Sequence, residues 1–226
     1  MNSHAFSRLT ISIVAILVGF TTSAQAGPPL VCHPIEIGQE KSLPWVDLNY
    51  QKGKGGYDLR NLTKDTLAIL DSNGPVLVRM ETLRRATIYA RQDPQAAKEL
   101  LTRLHARAAN SDAVGHPDAL AWFDLGYLAE AYKQWFGKRE PNPANGLDGY
   151  AWVKKAIGLR GQDREMEFAA ALITFMRPES DHRSHVEKAM AGAKNDPLLS
   201  RNLASNFNRQ TISELLTDAP AREFKK

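Results

Sequence analysis

The chain of 226 residues has a single cysteine, Cys32, so an intramolecular disulfide framework and a cysteine-rich zinc module are both excluded. Charge of one sign is not in excess: 29 basic residues face 25 acidic ones, a formal net charge of +4. That balance gives no argument for nucleic-acid binding. Several chemical signatures are missing as well. There is no G-x-S-x-G, no phosphate-binding Walker loop, no dinucleotide fingerprint, no H-E-x-x-H and no C-x-x-C-H. No alternating strand of useful length follows residue 60, and no uninterrupted apolar run of membrane-spanning length follows residue 26.

One apolar run is present at the start. Leu9 to Phe20 follows Arg8 and leads into Thr-Thr-Ser-Ala-Gln-Ala, where Ala24 and Ala26 form the small-x-small pattern of a cleaved secretory signal. Twelve helical residues reach about 18 Å, short of a bilayer core. Residues 1–26 are therefore expected to be removed after Ala26, giving a periplasmic or secreted protein with no stable membrane insertion. That segment holds one arginine and no acid, so the mature charge falls to +3. Pro29-Leu30-Val31 before Cys32 departs from a lipobox, which wants a small residue directly before the cysteine.

Residues 27–58 read as an extended N-terminal arm. Pro28, Pro29, Pro34 and Pro44 oppose a helix, while Leu30, Val31, Ile35, Leu43 and Trp45 are too apolar for a solvated tail. The arm should pack across the rest, with Gln51–Gly56 as a hinge.

From residue 59 to 208 the pattern is helical. Asn61 is a candidate cap for a helix over 62–71. Helices follow over 76–91, from Asp93-Pro94, from Pro117 to Phe136, over 148–159, from Asp163 until Pro178 breaks it, over 181–193 and from Asp196-Pro197. The Pro117–Phe136 segment is apolar on nearly all sides and belongs in the middle. Residues 209–226 form a tail.

Asp163 and Asp196 begin similar helix starts 33 positions apart, and Trp122-Phe-Asp-Leu125-Gly126 opens a W-x2-L-G pattern. On these residues the chain resembles the tetratricopeptide-like helical repeats, Sel1-type repeats included, over about residues 75–208. The Tyr that the pattern places three residues after the glycine is Ala129 here. The resemblance implies an all-α fold of antiparallel helix pairs stacked as a short α-solenoid. A non-repetitive helical bundle is the alternative. Within a repeat, Gly126 would let the partner helix approach, with Ala156 and Ile157 as its contact.

The concave face of such a stack implies a groove for a protein or peptide partner in the cell envelope, lined by Arg85, Tyr89, Phe123, Tyr127 and Glu130. The rival arrangement makes Phe123 and Tyr127 core, with the arm lying in the groove and Trp45 as its anchor. A different reading turns on Cys32-His33, which could ligate a metal or haem or act in redox chemistry. His182 and His185, at i and i+3 on one helix, are a second metal candidate. The main expectation is a non-enzymatic binding module without a cofactor.

Overall fold

The computed structural model describes residues 28–46, 53–137, 140–175 and 181–207. The signal segment, Gln51 and Lys52 of the expected hinge, the Pro178 break and the 209–226 tail lie outside them. The described residues are all-α: nine helices, one 3-10 turn at Leu59–Asn61 and no named strand. None of these helices is long and apolar enough to cross a membrane.

The helices are α1 (Pro29–Cys32), α2 (Leu62–Leu70), α3 (Val76–Ala90), α4 (Pro94–Ala113), α5 (Ala119–Trp135), α6 (Gly149–Arg160), α7 (Arg164–Thr174), α8 (Asp181–Ala193) and α9 (Pro197–Asn206). Most starts are set by aspartate. The side chains of Asp93, Asp118, Asp148, Asp163 and Asp196 accept first-turn backbone N–H groups of α4, α5, α6, α7 and α9. Each such cap stabilises by about 1 kcal/mol by pairing donors that a helix start leaves orphaned. Two local expectations change. Asn61 does not cap α2 with its side chain; the 3-10 turn precedes that helix, and Asp58 caps the turn. Pro28 and Pro29, expected to oppose a helix, sit at the start of the single turn α1, where a missing N–H costs nothing.

Burial sorts the helices into two sets. Nearly every residue of α3, α5 and α7 is buried, and these three helices touch one another. α4, α6 and α8 bury only a stripe each. α5 lies centrally, packed on α3, α4, α6 and α7, as its all-round apolar sequence requires. α1 touches α3, α5 and α7 together.

The α5–α6 crossing brings backbone against backbone. A Cβ at Gly126 would lie 2.6 Å from the Gly149 carbonyl oxygen and 2.9 Å from the Val153 nitrogen. A Cβ at Gly149 would in turn meet the Gly126 carbonyl oxygen at 2.5 Å. Gly126 does admit a close neighbour, but the contact is Gly149 and Val153 rather than Ala156 and Ile157.

Beneath this, Arg79 of α3 joins three elements. It donates to the Leu70 and Ser72 carbonyls at 2.7 and 2.8 Å, closing the end of α2, and to the Asp124 carboxylate of α5 at 2.6 Å. Both charges are almost wholly removed from water.

Candidate functional site

Charges inside an otherwise apolar helix need partners. α3 carries Glu81, Arg84 and Arg85, which meet on one face because residues three and four apart are neighbours on a helix. The Glu81 carboxylate, 1% exposed, accepts from Arg84 Nε at 2.7 Å, Arg84 Nη2 at 2.8 Å and Arg85 Nε at 2.7 Å. One carboxylate thus holds two guanidinium groups together.

Each of the three also bonds to the backbone of the N-terminal segment. Glu81 accepts from the Ile35 N–H at 2.9 Å, Arg84 donates to the Val31 carbonyl at 3.0 Å, and Arg85 donates to the Leu43 carbonyl at 2.7 Å. The Tyr89 hydroxyl donates to the Pro44 carbonyl and accepts from the Lys54 N–H at 2.7 Å. Burial raises the Tyr89 phenol against the opposing effects of the Lys54 N–H and Arg85, so it keeps the proton it donates. From other helices, Gln134 accepts from the Leu30 N–H, and the Asn202 amide takes both the N–H and the carbonyl of Glu36.

The side chains of the segment complete the joint. Leu30, Val31, Ile35 and Leu43 are buried in the common core. Trp45 lies under Arg84 and Arg85, at 4.9 and 5.6 Å from its ring, and meets the edge of Tyr89. Trp45 also forms an antiparallel bridge to Gly53. Gly53 rests against the Tyr89 ring so closely that a Cβ there would overlap it.

Of the five residues chosen for a groove, Arg85 and Tyr89 do contact this segment. Phe123 and Tyr127 are completely buried and stack on each other at 5.7 Å. Glu130 faces elsewhere: it accepts from the Tyr150 N–H at the start of α6 and from Lys133. Glu81, Arg84, Gln134 and Asn202 escaped sequence reasoning. For Glu81 and Arg84 the local signal is polarity set among Met80, Leu83, Ala86 and Ile88 on α3; Gln134 of α5 and Asn202 of α9 carry no comparable signal.

The histidine candidates separate. His185 of α8 is buried between Glu167, which pairs with its Nδ1, and the Tyr150 hydroxyl, 2.7 Å from its Nε2. Tyr150 also donates to Asp181 at 3.0 Å. Burial pushes the Glu167 carboxyl up, but the hydrogen bond and charge of His185, together with Lys188, outweigh it and hold the group below its usual range. His182 points instead to the Ala171 carbonyl and Thr174, and burial lowers its pKa.

Cys32 and His33 are buried at the end of α1. Burial raises the Cys32 thiol, with Arg84 opposing. Burial and Arg84 lower His33, with the Asn206 side chain opposing. Among the described residues no three His, Cys, Asp or Glu side chains converge as a metal-binding group.

The described residues define an all-α protein in which side chains of α3 hydrogen-bond to main-chain groups between Val31 and Pro44. No protein-family model matches the chain, and neither a curated protein nor a solved structure matches it.

Proposed function

We propose that the protein is an exported, tetratricopeptide-like binding module for an extended protein or peptide segment, with its own N-terminal arm seated in the binding face. The alternation of buried α3, α5 and α7 with half-exposed α4, α6 and α8 supports a short stack of helix pairs. The observation that carries the reading is the direction of the polar contacts. Glu81, Arg84, Arg85, Tyr89, Gln134 and Asn202 all bond to main-chain groups of the arm. Side chains that read main-chain groups can hold any extended chain of suitable shape, and apolar pockets at Leu30, Val31, Ile35 and Leu43 then select among sequences.

Under this reading the arm competes with the partner. A tethered segment has an effective concentration in the millimolar range, so a free peptide binds only when the arm is displaced. Leu43→Asp places a charge where the side chain is 1% exposed and should lift the central part of the arm. A fluorescently labelled synthetic peptide of residues 33–46 is then titrated into the wild-type and the variant chain, with circular dichroism to confirm folding. Saturable binding to the variant and little to the wild type is the expected result. A folded variant that ignores the peptide refutes the reading. The same pair used as bait in an envelope extract should differ in captured proteins.

A further inference from the structure

Beyond the arm-gripping face, a cavity of about 520 Å³ opens beside the end of α3. This volume falls within the range of small-molecule sites. Its walls are the turn Gly53–Gly56, Tyr57, Leu59, Ile88, Tyr89, Arg91, Gln92 and Trp135. Gly53, Tyr89 and the main-chain N–H of Lys54 are shared with the arm's joint. Glu81, Arg84, Arg85, Gln134 and Asn202 take no part, so the cavity stands independently of the function proposed above.

Its chemistry is one-sided. Lys54 and Arg91 line it, and among the described lining residues there is no acid. Arg91 stacks over the Trp135 ring at 5.1 Å. Glu140, outside the lining, takes Arg91 Nε and Nη2 at 3.1 and 2.7 Å, while Nη1 has no partner among the described residues. The Trp135 indole N–H is buried, with no acceptor among the described residues, so it is the ring that faces the cavity. At Gly55 and Gly56 a Cβ would meet nothing within 4 Å, so the turn leaves open space beside its backbone. Tyr57, Tyr89 and Trp135 supply aromatic surface.

We propose that this cavity binds a small organic anion with an aromatic body. The carboxylate or phosphate meets Arg91 and Lys54, and the ring lies against the aromatic wall. The guanidinium fork suits a planar or tetrahedral oxyanion, and the stacked Trp135 holds it in place.

Isothermal titration of the full chain with indole-3-acetate and with phenyl phosphate tests this and separates the two acid groups. Indole-3-acetamide, inorganic phosphate and acetate are the controls. At least one aryl anion should saturate, with the neutral amide and the simple anions weaker by about tenfold or more. Arg91→Gln and Lys54→Gln should each weaken binding several-fold, while Glu140→Gln, which frees Arg91 from its competitor, should tighten it. Arg60→Gln, on a side chain 90% exposed and paired only with Asp58, should change nothing. No saturation by either aryl anion in the millimolar range overturns the proposal. So does equal affinity for the amide, or affinity indifferent to both cationic substitutions.

Discussion

Two helical glycines allow the same substitution to be tried with opposite expected signs. Gly126→Ala puts a methyl group 2.6 Å from the Gly149 oxygen and 2.9 Å from the Val153 nitrogen. Both obstacles are main chain, so no rotamer change relieves them. Carbon needs roughly 3.5 Å, so α5 and α6 must part by something under 1 Å, enough to forfeit a quarter to a half of each contact's attraction. Overpacking of this kind costs about 1–3 kcal/mol, and main-chain obstacles put it at the upper end. Alanine returns up to about 1 kcal/mol of helix propensity. The net is a loss of about 2 kcal/mol, or a Tm lower by about 4–8 °C for a chain of this size. Gly158→Ala, also within α6, meets nothing within 4 Å and keeps only the propensity gain, raising Tm by about 1–4 °C. Thermal melts followed at 222 nm and urea titrations give both values. Should Gly126→Ala melt at or above the wild type, the close α5–α6 approach is wrong.

Two pH experiments probe the buried acids. The Asp124 carboxyl is pushed up to about 7 by burial, against Arg79 and Arg107. A raised carboxyl contributes stability that is complete below its unfolded value near 3.8 and is lost as pH rises through about 7. The margin of the wild type over Asp124→Asn should therefore shrink between pH 5 and pH 8 in urea midpoints; a constant margin refutes this. Glu167 has the opposite sign: its depressed carboxyl contributes stability present above its unfolded value and lost as pH falls through the folded one. Glu167→Gln removes the carboxylate that His185 Nδ1 and Lys188 Nζ face and should cost about 1–3 kcal/mol at pH 7. That cost should fade as pH falls through the depressed folded value, and a cost that persists in strong acid sinks the argument.

Much of the helical order was legible because its signals are local. Asp-Pro pairs at 93–94 and 196–197 mark helix starts through one side chain and one missing donor, within three residues of each other. The even apolarity of α5 announced a central position without any knowledge of its neighbours. The candidate site was legible in a different degree. Arg85 and Tyr89 were named, yet Glu81 and Arg84 beside them were not, because alternating charges on a helix ordinarily describe a solvated face. What makes them different is the segment 31–35, whose main-chain groups arrive from 46 and 53 residues away. The same holds for His185. Its spacing from His182 suggested a shared ligand, whereas Glu167 and Tyr150, 18 and 35 positions distant, pull it to another purpose.

Helices that touch mainly their chain neighbours can peel away from either end, each at its own modest cost. Here the N-terminal segment and the last described helix are tied. Asn202 of α9 holds both main-chain groups of Glu36, 166 positions earlier, and Arg201 holds its carboxylate. Opening α9 therefore exposes the far end of the N-terminal segment as well, and lifting that segment strips α9 of partners. Amide hydrogens of residues 30–36 and of α9 should exchange with solvent at a common rate, as one unit assembled from opposite ends of the chain.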